Sequence, residues 1–353
     1  MSGGKLPARG LLERVRKTQP VIHCITNYVT AGDVANMLLA AGASPVMADG
    51  VREAAEAAGF SQGMVINLGT LKEQVIPAMV EAGRRAAALG HPVVLDPVGA
   101  GSFSCRLETA LRILDEVPCA LIRGNASEIR ALEEAVRKRM ADGDGFAGKR
   151  AGENCVENAV SGEEGGKKAD VSMRGGASLA RGVDVSREDI LTAENIGQKA
   201  EMAKRLSRAL GTVVLMSGET DLATDGRRVY LIRNGHPLMG RITGSGCMLD
   251  GVLAACLAVG KQKTGDRMET AGQGKFAPGA GADTVRDEIS PLDLTVYAAA
   301  AFAVCGELAG ERTEKDSRGP GRFRMELFDA MYGLTDEFVM AMADVEGGDG
   351  FEI

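Results

Sequence analysis

The chain has 353 residues, 45% of them hydrophobic and 25% charged, which is ordinary for a globular protein and sufficient for one large core or two smaller ones. A net charge of −7, with Lys and Arg scattered rather than striped, excludes the basic footprint of a nucleic-acid binder. Residues 1–19 are polar and basic with no signal-peptide core, and no run approaches transmembrane length, so a cytoplasmic protein without a membrane partner is expected.

In chain order, short β-rich runs bounded by Gly, Pro or Asn predict strands over 21–25, 44–47, 64–68, 92–98, 120–123 and 212–216. Between them, apolar residues at three- and four-residue spacing predict helices over 33–41, 71–89, 107–114, 127–137 and 194–210. This alternation predicts an α/β fold, a mostly parallel sheet with helices on both faces. The runs 222–224 and 228–232, joined through Asp225-Gly226, predict a hairpin at the sheet edge, and helical patterns follow over 292–308 and 322–342.

Two polar, glycine-rich segments, about 140–181 and about 261–289, cannot bury a face and are expected to be flexible insertions in a single domain spanning 1–353. The seven cysteines fall at irregular positions, forming neither a disulfide framework nor a CxxC metal pattern. None of the three histidines has metal-ligand spacing.

The run Thr243-Gly244-Ser245-Gly246-Cys247-Met248-Leu249-Asp250 leads straight into apolar residues at helical spacing, so a glycine loop opens a buried helix. The first N–H groups of such a helix have no intrahelical partner and lie at the positive end of its dipole, which suits a phosphoryl group. Cys247 falls in that field, where a thiol ionises more readily and can take the proton of a substrate hydroxyl. A tight turn is the other reading of Gly-x-Gly.

Open parallel sheets bind ligands beyond the carboxyl ends of their strands, where the remaining candidates lie. Asp96 ends an apolar strand before Pro97, and either ligates Mg²⁺ as a hard oxygen donor or caps a turn. Asn125 and Glu128, three apart, either cap a helix or hold metal waters, with Arg123 beside them for nucleotide phosphates. Ser217 before Gly218 offers a hydroxyl to phosphate or ribose, or forms a plain turn. Met47 suits a flat heterocycle or the core, and Asn27 suits a ring nitrogen, the substrate hydroxyl or a helix cap.

Seven blocks, at 23–30, 44–49, 67–70, 93–99, 122–128, 233–237 and 243–249, resemble the hydroxyethylthiazole kinase family of thiamine salvage. The resemblance implies a ribokinase-like fold without a separate lid. It also implies transfer of the γ-phosphoryl group of ATP to 4-methyl-5-(2-hydroxyethyl)thiazole, with Mg²⁺, in a homotrimer with active sites between subunits. Carried over by motif, it assigns Met47 and Gly244 to the thiazole, Arg123 and Ser217 to ATP, and Asp96 and Glu128 to the metal. Cys247 then stands where ribokinase-like sugar kinases have an Asp base, flanked by Gly246 and Ser245. A related kinase of hydroxymethylpyrimidine and a catalytically silent thiazole-binding protein are the competing readings.

Overall fold

The computed structural model describes residues 6–143, 192, 195–260 and 289–351. Most of the two glycine-rich segments therefore lies outside the described residues. The elements in order are α1 (Leu11–Thr18), β1 (Val21–Ile25), α2 (Ala31–Ala41), β2 (Ser44–Val46), α3 (Val51–Phe60), β3 (Gly63–Asn67), α4 (Ile76–Ala88), β4 (Val93–Asp96), α5 (Ser104–Glu116), β5 (Leu121–Asn125), α6 (Ala126–Ala141) and α7 (Ile196–Leu210). They continue as β6 (Val213–Ser217), β7 (Asp221–Thr224), β8 (Val229–Ile232), α8 (Ser245–Gly260), α9 (Pro291–Lys315), α10 (Pro320–Gly333), α11 (Asp336–Met342) and β9 (Val345–Gly348).

One nine-stranded sheet runs β2-β1-β3-β4-β5-β6-β7-β8-β9. From β2 to β6 every pairing is parallel, and from β6 to β9 every pairing is antiparallel. The parallel strands are apolar on both faces because both faces are covered. Ile22, Val65, Val94 and Leu215 enter the core beneath α1, α2, α8, α9 and α10. Their neighbours Met64, Ile66, Leu95 and Val214 enter the second core, beneath α3 to α7.

The predicted hairpin lies at the antiparallel end, its connection braced by Asp225 Oδ1, which accepts the N–H groups of Arg227 and Arg228 at 2.9 and 2.8 Å. A strand outside the sequence expectation, β9, pairs with β8 beyond it. Helices α1 and α3 also lie outside the sequence expectation. Within α1, Leu11, Leu12 and Val15 form a buried stripe inside a basic stretch. The inner face of α3 is only Ala54, Ala57 and Ala58.

Contrary to the sequence expectation, α9 is long and apolar enough, by length and composition, to cross a membrane. Its 25 residues instead form a core helix, packed against α8 and α10, with 83% of its apolar window buried.

Candidate active site

Six parallel strands deliver their carboxyl ends to one edge, and the polar residues of interest occupy that edge in strand order. Met47 follows β2 and packs partly buried on the core, and the loop that holds it is tied back to β1, where the buried His23 ring bonds the Ala48 carbonyl oxygen through Nε2 at 2.7 Å. Asn27 follows β1, Asn67 ends β3, Asp96 ends β4, and Asn125 at the end of β5 is the register partner of Ser217 at the end of β6. Ser217 Oγ donates only a long bond, 3.4 Å, to the Gly124 carbonyl oxygen.

The glycine loop opens a buried helix as the sequence predicts. Gly244 has φ +84°, and a Cβ there would overlap the Thr30 side chain, so the turn into α8 requires glycine on both counts. Helix α8 then begins at Ser245, the Met248 N–H donates to the Gly244 carbonyl at 2.8 Å, and every residue from Met248 to Val259 is buried. A Cβ on Gly246 would overlap the Arg123 guanidinium, so the cation rests directly on the first turn of α8.

Cys247 joins this helix to the strand ends. Its Sγ accepts Asn27 Nδ2 and Asn67 Nδ2, each at 3.3 Å. The Asn67 amide also donates to Asp96 Oδ2 at 2.7 Å, and Arg123 Nη1 donates to the same oxygen at 3.1 Å. Asn27 is itself fixed by Thr30, whose N–H and hydroxyl donate to Asn27 Oδ1 at 3.1 and 3.0 Å. The structure thus brings Gly244, Ser245, Gly246, Cys247, Asn27, Asp96 and Arg123 into one place, with Asn67 as the link the sequence reading did not single out.

Asn125 and Glu128 form a complete capping box on α6. Asn125 Oδ1 accepts the Glu128 N–H at 2.9 Å, and Glu128 Oε2 accepts the Asn125 N–H at 2.8 Å. Glu128 Oε1 takes the Gly99 N–H at 2.8 Å, so this carboxylate braces the loop after Asp96 as well as the helix. Between the two readings the sequence left open, the capping bonds are the ones present.

Burial dominates the electrostatics. It pushes the Cys247 thiol up to about 12, with the charges of Asp96 and Asp250 adding to the effect and Arg123 opposing it. The helix amino terminus alone predicts the opposite direction. Asp96 is raised well above the usual carboxylate range by burial and by Asp250, and Glu128 is raised to about 7 by burial and by Asp96. Asp250, fully buried one turn into α8, is the second residue the sequence reading missed. A single acidic residue inside the apolar stretch 248–259 was the available signal.

A comparison with family models matches residues 12–161 and 157–288 to the hydroxyethylthiazole kinase family. The chain is 43% identical to the hydroxyethylthiazole kinase of Desulfovibrio desulfuricans over 70% of its length and 73% of that protein's. It is 35% identical to that of Clostridium acetobutylicum over 92% of this chain and 94% of the other. The chain belongs to the hydroxyethylthiazole kinase family. A solved hydroxyethylthiazole kinase structure from Pyrococcus horikoshii OT3 superposes with a TM-score of 0.66 at 27% identity, covering 96% of this chain and 98% of that one. The chain therefore has the ribokinase-like fold expected from the sequence, and the family is one of kinases.

Proposed function

We propose that this chain transfers the γ-phosphoryl group of ATP to the primary hydroxyl of 4-methyl-5-(2-hydroxyethyl)thiazole, using Mg²⁺, as a single cytoplasmic kinase domain. The observation that carries the reading is the meeting of the α8 amino terminus with Arg123 and Asp96 through Gly246, Cys247 and Asn67. A loose phosphoryl transition state spreads charge over three oxygens, and fixed N–H groups and a guanidinium stabilise that charge without reorganising. In this reading Arg123 and Ser217 face the ATP phosphates, Gly244 to Cys247 cradle the group in transit, and Met47 and Asn27 hold the thiazole.

The residues present fit a divalent ion. The buried carboxyls of Asp96 and Asp250 are set against each other, and one guanidinium is left to balance three buried carboxylates, Asp96, Asp250 and Glu128. Hard oxygen donors with surplus negative charge suit Mg²⁺. Asp96 and Glu128 would hold it, Asn125 standing beside them, and when bound it supplies neutralisation of charge on the nucleotide phosphates. Cys247 enters as a protonated thiol, so its contribution is to seat the substrate hydroxyl against Asn27 and Asn67, while the α8 amides and Arg123 supply most of the acceleration.

A homotrimer with sites between subunits is supported by the family resemblance and by large apolar side chains left exposed on the packed pair α2 and α10, namely Leu39, Met325 and Tyr332. The test of the substrate is ADP release with the thiazole alcohol against hydroxymethylpyrimidine. Turnover with the thiazole alone is expected. Turnover with the pyrimidine alone favours the related kinase, and thiazole binding without ADP release favours the silent binding protein.

A further inference from the structure

Asp250 is the only charged residue among the twelve buried ones from Met248 to Val259. It lies three residues after Cys247 and four after Gly246, so all three project from one side of α8. That side faces the ends of β4 and β5. The Asp250 carboxyl lies against that of Asp96 and the amide of Asn67, and the cation paired with it is Arg123, whose Nε stands 3.8 Å from Oδ1 without a hydrogen bond. A buried carboxylate in an otherwise apolar helix is costly unless its charge is used.

The guanidinium has three nitrogens with three different surroundings. Nη1 donates to Asp96 at 3.1 Å, Nε stands 3.8 Å from Asp250 as an ion pair without a hydrogen bond, and Nη2 lies against Gly246 at the start of α8. Asp96 holds one nitrogen of the planar group by a hydrogen bond, and the charge of Asp250 attracts a second, so together they oppose both its displacement and its rotation. A single carboxylate would fix only one nitrogen. The outer nitrogen is thereby presented to the same space as the unpaired amides of the helix.

We infer that Asp250 is a positioning residue for phosphoryl transfer, holding Arg123 so that Nη2 and the first amides of α8 address one phosphate oxygen set together. The inference rests on the reading that Arg123 serves the ATP phosphates. It is separate from the identity of the alcohol.

The test is a double-mutant cycle of Asp250→Asn and Arg123→Gln. Turnover is followed over a range of MgATP, and ATP affinity is measured by calorimetry without alcohol. Asp250→Asn is expected to lower kcat/KM for ATP about tenfold or more while KM for the alcohol moves by less than about twofold. Added to Arg123→Gln, it is expected to change kcat/KM and ATP affinity by less than about twofold, since its effect passes through the arginine. Equal multiplicative losses in both backgrounds, or unchanged kcat/KM and ATP affinity in Asp250→Asn, overturn the assignment. Asp250→Ser runs through the same cycle if the asparagine variant does not fold, and failure of both to fold makes the residue structural and also overturns it. The calorimetric arm needs no alcohol, so it remains decisive even if the thiazole is the wrong substrate.

Discussion

Cys247 sits where the partial positive charge of a helix terminus, about half an elementary charge, meets burial and the negative charges of Asp96 and Asp250. The terminus was legible in the glycine loop and Asp96 at its strand end; that Asp96 and Asp250 crowd the thiol was not, because they come from β4 and from the next turn of a helix whose orientation only packing sets. Glu128 shows the same balance and gives it a sign. Its carboxyl titrates at about 7 in the fold against 4.5 when unfolded, so the folded state holds the proton more tightly. The stability this group contributes is complete below about 4.5 and is lost as pH rises through about 7. Thermal melts of ligand-free wild type and Glu128→Gln, from about pH 5 to about pH 8, are expected to show the wild-type advantage shrinking as pH rises. A constant difference across that range contradicts the shift.

At the scale of elements, the α6 capping box makes a separate forecast. Asn125→Ala removes the acceptor for the Glu128 N–H and is expected to cost about 1 kcal/mol in denaturant unfolding. A cost near zero would remove Asn125 from the cap. In the core, Phe302 on α9 is 2% exposed, and Phe302→Ala is expected to cost about 3–5 kcal/mol. A loss below about 1 kcal/mol would mean that α9 is not packed as described. The long apolar periodicities and Gly/Pro boundaries made the parallel strands and the helices between them readable to within a few residues. Helix α3 was not readable because an alanine face carries little hydrophobic contrast. Strand β9, Val-Glu-Gly-Gly, has almost no strand propensity and pairs because α11 brings the chain end alongside β8. Strand-end positions of Asp96, Arg123 and Ser217 were readable, whereas the links made by Asn67 and Asp250 are products of tertiary contact.

At the scale of the whole molecule, the site exists because parallel topology lines up strand ends drawn from residues 25 to 217 and sets the start of α8 across them. If the exposed apolar side chains of α2 and α10 meet a second copy, light scattering should return about three times the 36.8 kDa of one chain, and a monomer mass contradicts the trimer. The central claim is that held charges, more than a basic thiol, move the phosphoryl group. Steady-state turnover of Cys247→Ala beside Gly246→Ala addresses it most directly. General-base help is worth about a hundredfold to ten-thousandfold, so loss of a thiol that is not the base should leave measurable turnover. A Cβ on Gly246 displaces Arg123 from α8 and should cost about a hundredfold or more. Retained activity in Cys247→Ala with loss in Gly246→Ala is the predicted result; a dead Cys247→Ala enzyme that still binds both ligands, beside an active Gly246→Ala, contradicts it.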